Sequence, residues 1–127
     1  MGQYLIDNNA ISNFFSGAFS PNGMSFMSEV LDNTPIISVI TEIEALSWMH
    51  KDKNKEKIVK EFIDDASILA LTPMVVAECI RIRRSRKIKT PDAIMAATAI
   101  VHNLQLITSD ADFNHIIGLD IIDPFKI

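Results

Sequence analysis

Apolar residues along the chain fall in short clusters broken by polar turns, and the spacing within each cluster separates strands from helices. Tyr4-Leu5-Ile6 is a continuous apolar run halted by Asp7-Asn8-Asn9, which predicts a strand and a loop; Ile11, Phe14, Phe15 and Ala18 then recur at helical spacing. Ser20-Pro21-Asn22-Gly23 is turn chemistry, and Phe26, Met27, Val30 and Leu31 predict a second helix. Residues 35–39 read as the next buried strand. A helix is expected to open at Thr41-Glu42-Ile43-Glu44, carrying Leu46 and Trp48, and the charged stretch 51–57 leads into another with Ile58, Val59, Phe62 and Ile63 on one stripe. Residues 67–71 predict a strand. Thr72-Pro73 then starts a long helix through Val75, Val76, Cys79 and Ile82, with proline at a favourable first-turn position. A further helix follows Thr90-Pro91-Asp92, running from Ala93 to about His102, and its alanines suit close packing on a sheet. Residues 105–108 predict a strand, 110–117 a short helix, and Ile121-Ile122 a last strand.

Short apolar strands alternating with helices define an α/β fold whose mostly parallel sheet is covered on both faces. No repeat, linker or low-complexity stretch interrupts the pattern, so residues 1–127 are expected to form one domain. With 48% hydrophobic and 22% charged residues, the composition is that of a globular domain able to hold a core without disulfides. The single cysteine, Cys79, sits among Val76, Ala77 and Ile80, which predicts a buried small hydrophobe rather than a metal ligand. His50, His102 and His115 show no metal-ligand or catalytic-pair spacing. The N-terminal segment has neither the basic flank nor the apolar length of a signal peptide, Ile6 occupies the place where a myristoylation motif after Gly2 needs Ser or Thr, and no apolar run is long enough to span a membrane. A cytoplasmic location is the expectation.

Charge alters this picture in one respect. The formal net charge of -4 argues against a nucleic-acid partner, yet Arg81, Arg83, Arg84, Arg86, Lys87 and Lys89 crowd one segment. The lysines between residues 51 and 60 are read as a solvated helix face. The arginine run has two readings: cations favouring a helix C-terminus, or a grip on a phosphate backbone.

The candidate chemistry lies in four carboxylates. Asp7 closes the first strand, Glu44 lies in the helix after the second, Asp92 opens a helix and Asp110 follows the fourth strand. In open parallel sheets the ligand crevice lies beyond the carboxyl ends of the strands, so these acids are expected on one edge. Each has a bland alternative: Asp7 and Asp110 as helix N-caps, Asp92 as a partner of the helix dipole, and Thr41-x-x-Glu44 as a capping box. Capping alone, however, does not require a carboxylate at all four places, because Ser, Thr and Asn cap equally well. Converging carboxylates repel one another unless a cation sits among them, and an all-oxygen donor set suits Mg²⁺ or Mn²⁺ rather than zinc.

These residues carry a resemblance. Residues 4–12, 38–44, 88–99 and 106–113 resemble, in order and spacing, the four motifs of PIN-domain ribonucleases of the VapC toxin type, over nearly the whole chain. The likeness implies a PIN-like three-layer fold and an endoribonuclease that holds Mg²⁺ or Mn²⁺ with Asp7, Glu44 rather than Glu42, Asp92 and Asp110. It also implies an antitoxin partner whose C-terminal segment covers the site, and a homodimer. Asn8 departs from the family, which usually has Thr or Ser there. Asn9, Thr108 and Asp112 are expected to orient the ligands, and Arg84, Arg86 and Lys87 to bind RNA. Phe14 and Phe15, with nearby helix residues, are candidates for lining a partner groove.

Two other functions are compatible with parts of the pattern. A phosphoryl-transfer domain using Asp7 as nucleophile would show Asp-x-Asp after the first strand, where this chain has Asp7-Asn8-Asn9. A catalytically silent PIN-like module that only binds RNA or protein is the alternative toward which Asn8 leans.

Overall fold

The computed structural model describes residues 3–127, so Met1 and Gly2 of the N-terminal reading lie outside the described residues. Five strands, β1 (Tyr4–Ile6), β2 (Ile36–Ser38), β3 (Ser67–Leu69), β4 (Gln105–Ile107) and β5 (Ile121–Ile122), form one all-parallel sheet in the order β3-β2-β1-β4-β5. Six helices accompany them: α1 (Asn8–Phe15), α2 (Pro21–Asp32), α3 (Val39–Ser47), α4 (Lys53–Asp65), α5 (Pro73–Ser85) and α6 (Thr90–Val101). Two single 3-10 turns, Ala111–Phe113 and Pro124–Lys126, complete the described elements.

The pleat of the central strands sorts side chains into two cores. Leu5 and Leu106, paired in register, face the layer in which Val75, Cys79 and Ile82 of α5 pack with Ala93, Ala96 and Ala97 of α6. Ile6 and Ile107, one position on, face Ala10, Ile11, Met27 and Ile63 on the opposite side, together with Ile37. Neighbouring strand residues point to opposite faces, so a continuous apolar strand is what a sheet covered on both sides requires. The result is a three-layer α/β domain. The alanines of α6 are fully or nearly fully buried, the close packing their size permits.

Chain order places the crevice. From β1 the chain moves outward through β2 to β3, whereas β4 pairs on the other side of β1 and leads to β5. Connections leaving the carboxyl ends of β1 and β4 therefore diverge, which opens a crevice between them. Asp7 and Thr108 are the first residues beyond those two strands.

Most element boundaries match the pattern of the sequence to within three residues. One shifted boundary has an identifiable cause, and one element differs in kind. The helix expected to open at Thr41 begins at Val39, because Ser38 is its N-cap and its hydroxyl accepts the Thr41 amide at 3.2 Å. The helix expected over 110–117 is a single 3-10 turn. Asn114 is extended, and His115 and Gly118 take φ of 64° and 89°, so the chain turns away instead of continuing. Backbone carbonyls freed by this irregular path need other donors. Arg86 donates to the carbonyls of Asp112 and Asn114, and Arg81 to that of Ile117.

Candidate metal centre

Asp7 is held from both sides of the crevice. Its amide donates to the Ile107 carbonyl at 3.1 Å, continuing the pairing of β1 with β4. Its carbonyl starts α1, but its side chain makes no cap hydrogen bond. Instead Asp7 Oδ2 accepts from Thr108 Oγ1 at 2.8 Å, and the same hydroxyl accepts the Asp110 amide at 3.1 Å. Thr108 thus links the carboxylate of the first acid to the backbone of the fourth. Asn9 is exposed and its side chain makes no hydrogen bond among the described residues.

Glu44 belongs to the second turn of α3, not to a capping box, since Ser38 occupies the cap. Thr41 is buried and donates to the Ile6 carbonyl at 3.5 Å, fastening the start of α3 beside the end of β1. The Glu44 side chain is left exposed with no hydrogen bond among the described residues. Asp92 is in the first turn of α6, half-buried, where the helix dipole favours its charge. Asp110 caps the short 3-10 turn, its Oδ1 accepting the Asp112 amide at 2.9 Å. The capping alternative is realised here, yet it engages one oxygen only.

Asp92, Asp110 and Asp112 each bring a carboxylate oxygen within 4.8 Å of the others. Asp112, which competes with Asp110 for the fourth place and is otherwise expected to orient the ligands, enters the cluster with its own carboxylate; the alternation Asp110-Ala111-Asp112 across a tight turn is the signal that bears on it. Asp7 and Glu44 join electrostatically. Burial pushes the Asp7 carboxyl above its ordinary value, against the hydrogen bonds from Thr108 and the Asn8 amide, and the charges of Asp110 and Asp92 add to the rise. Glu44, exposed as a residue but with its carboxyl partly screened from water by surrounding protein, is raised by that desolvation and then by Asp7 and Asp92. Asp92 is raised by burial and by Asp110 and Asp112, with Lys89 opposing. Five carboxylates are thus coupled through mutual repulsion, and Lys89 is the cation that acts on the cluster. The oxygen-only donor set and this net repulsion fit a hard divalent ion such as Mg²⁺ or Mn²⁺.

The basic segment divides by what each side chain touches. Arg81 pairs with Glu78, its Nε donating at 2.8 Å, and Arg83 donates to the Ile88 carbonyl at 3.3 Å. Arg86 is turned onto the loop that carries Asp110 and Asp112. Arg84 and Lys87 are exposed and make no hydrogen bond or ion pair among the described residues. Sequence reasoning did not select Lys126, which lines a cleft with Thr108, Ser109, Asp110 and Asp123 beside β4 and β5. A larger cavity, lined by Tyr4, Phe26, Ile36 and Ser67, lies at the amino ends of the strands and holds none of the five carboxylates.

A family model described as PIN domain matches residues 4–119. No curated protein matches the sequence. Among solved structures, a toxin-antitoxin complex from Klebsiella pneumoniae contains a chain 28% identical to this one, with a TM-score of 0.77 and coverage of 98% of this chain and 100% of that one. DNA-bound VapBC from Salmonella typhimurium is 20% identical, with a TM-score of 0.78 over 98% of this chain and 99% of the other. FitAcB from Neisseria gonorrhoeae is likewise 20% identical, with a TM-score of 0.78 over 98% and 100%. At 20% identity the last two likenesses concern the fold.

Proposed function

The chain belongs to the PIN-domain family, and from this premise we propose that it is a metal-dependent endoribonuclease, the toxin of a toxin-antitoxin pair. The observation that carries the reading is the cluster of Asp92, Asp110 and Asp112, whose carboxylate oxygens lie within 4.8 Å of one another, with Asp7 tied to the Asp110 amide through the Thr108 hydroxyl. A structural role alone does not account for so much uncompensated negative charge in one crevice.

Asp7, Asp92, Asp110 and Glu44 are the proposed holders of Mg²⁺ or Mn²⁺, with Asp112 beside them. Bound there, such an ion lowers the pKa of water and neutralises charge on the scissile phosphate. The chain's own residues do the rest. Thr108 fixes the direction of the Asp7 carboxylate through its 2.8 Å hydrogen bond. Arg84 and Lys87, exposed at the end of α5 and in the link to α6, offer positive charge to the RNA backbone against the repulsion of the acids.

The proposed partner is an antitoxin peptide, and the proposed assembly includes a second copy of the chain; both rest on the family and on the Klebsiella pneumoniae complex. Apolar side chains are available for contact: Phe15 of α1, Ile43 and Leu46 of α3 and Ile58 of α4 are exposed on helices that pack successively against one another. Phe14 is half-buried beside Phe15. A basic residue carried by the peptide into the acidic crevice would complement its charge. A toxin that acts on the RNA of its own cell works in the cytoplasm, which is the location this proposal assigns; no helix among the described residues is long and apolar enough to cross a membrane.

The silent-module alternative rests on Asn8. Asp7 is held by the Thr108 hydroxyl and by its own amide on the Ile107 carbonyl, neither of which involves the Asn8 side chain, so this departure leaves the first acid supported. Cleavage of a mixed RNA pool with Mg²⁺ or Mn²⁺, abolished by EDTA and in Asp7→Asn, tests the reading. Full cleavage in EDTA would defeat it; binding of RNA with no cleavage in either ion would favour the silent module.

A further inference from the structure

We infer that Arg86 is a positioning residue that sets the geometry of the carboxylate cluster by clamping the Asp110–Asn114 loop to the α5–α6 connection. The inference rests on the proposed metal site, but its geometry is independent of it. Arg86 is the C-cap of α5, its amide fixed on the Ile82 carbonyl at 3.2 Å. Its guanidinium reaches across to another part of the chain, donating from one terminal nitrogen to the Asn114 carbonyl at 2.7 Å and from the other to the Asp112 carbonyl at 3.1 Å. Its Nε is buried without a partner among the described residues, so the fork is fixed by these two carbonyls alone.

Both ends of this clamp carry acids of the cluster. Asp92 lies six positions beyond Arg86, in the first turn of α6 that this connection leads into, and Asp110 and Asp112 belong to the gripped loop. The grip falls on backbone, and no ion pair joins Arg86 to either carboxylate, so the loop is fixed while the Asp112 carboxylate stays available to a cation. A rigid planar fork matched to two carbonyls is something lysine cannot reproduce.

The sign of the effect on metal affinity separates positioning from plain electrostatics. A nearby positive charge repels a divalent ion, so loss of that charge alone would tighten binding. A clamp predicts the reverse. Mn²⁺ binding without RNA, followed by calorimetry on wild type, Arg86→Ala and Arg86→Lys, is expected to weaken about tenfold or more in Arg86→Ala. Arg86→Lys, which keeps the charge and loses the fork, is expected to weaken by a smaller factor, and it carries the test if the alanine variant does not fold. Amide exchange at residues 112–115 should quicken in both variants while α6 stays protected. Wild type that takes up Mn²⁺, with either folded variant binding it equally or more tightly, overturns the inference alone. Weaker RNA binding at unchanged Mn²⁺ affinity also overturns it, and assigns Arg86 to the substrate. Wild type that binds no Mn²⁺ defeats the nuclease reading and with it the purpose given to Arg86.

Discussion

The hydroxyl of Thr108 donates to the buried carboxylate of Asp7 across 2.8 Å, joining the residues that follow β4 and β1. The bond crosses the point where the chain's connections diverge, and it lies entirely among buried atoms. Thr108→Val keeps the shape of the side chain and removes both this donor and the acceptor of the Asp110 amide. Leaving a buried carboxylate oxygen unpaired should cost about 1–3 kcal/mol, whereas Thr108→Ser should cost less. Urea unfolding of the metal-free protein measures both. Equal midpoints for wild type and Thr108→Val would mean that Asp7 is held by something other than this bond.

The raised carboxyls fix a pH dependence. Asp7 and Asp92 are raised from an ordinary 3.8 and Glu44 from 4.5, so within the window above those values the folded protein binds protons that the unfolded chain has released. Stability then falls as pH rises through the folded values, and below the unfolded values the penalty is absent. Metal-free protein should therefore melt at a lower temperature near neutrality than in mild acid, as far as these groups contribute. Asp7→Asn, which removes the most buried of the charges, should be more stable than wild type at pH 7, with the gap closing toward about pH 4. Mg²⁺ or Mn²⁺ should raise the melting temperature of wild type at pH 7 by binding the folded state. Melting curves that are indifferent to both pH and divalent ions would contradict the cluster's electrostatics.

Much of the fold was legible because local pattern and global environment agree. Tyr4-Leu5-Ile6 and Gln105-Leu106-Ile107 are apolar on both faces, as central parallel strands must be, and the alanines of α6 announce a helix laid closely on a sheet. Asp7, Asp92 and Asp110 were readable by their place after a strand or at a helix start. What local pattern could not supply was long-range. Ile116 and Phe113 are buried at spacing that suits a helix, but the path from Asn114 to Gly118 is set by Arg81 and Arg86, which lie about thirty residues earlier in the chain. For the same reason the arginine run looked uniform in sequence, whereas its members separate into a pair with Glu78, a brace on Ile88, a clamp on the 112–114 loop and three exposed cations, Arg84, Lys87 and Lys89. The α3 start was misplaced by two residues because Ser38 ends a strand and caps a helix at once.

Substitution of single acids should rank their roles. Asp92→Asn and Asp110→Asn keep shape and lose ligand charge, and each is expected to reduce cleavage by about a hundredfold or more while leaving the far-ultraviolet circular dichroism unchanged. Asp112→Asn should weaken Mn²⁺ binding as well, because its carboxylate lies with those of Asp92 and Asp110 within 4.8 Å. Its loss is expected to be the smaller, since Asp112 is exposed and only Asp110 is also fixed through the Thr108 hydroxyl. A larger loss in Asp112→Asn than in Asp110→Asn would exchange their assignments.

The last prediction concerns how an acidic protein holds RNA. With a net charge of -4 and five acids in the crevice, attraction to phosphate has to come from local positive charge rather than from the molecule's overall field. Arg81, Arg83 and Arg86 are engaged with protein groups, which leaves Arg84, Lys87 and Lys89 exposed without a hydrogen bond or ion pair among the described residues; of these Lys89 is the one whose charge opposes the rise of Asp92, so Arg84 and Lys87 are the cations to test on RNA. If each neutralises one phosphate, Arg84→Ala and Lys87→Ala should each weaken RNA binding to Asp7→Asn protein and flatten the slope of log affinity against log salt by somewhat under one unit. Single-stranded RNA measured by fluorescence anisotropy over a range of salt gives both quantities. Because neither side chain braces the fold, the melting temperature should stay within about a degree or two of the parent, as for ordinary surface substitutions. Unchanged slopes would move the RNA path away from the α5–α6 link, and Lys126, which lines a cleft with Asp110, would be the next cation to replace.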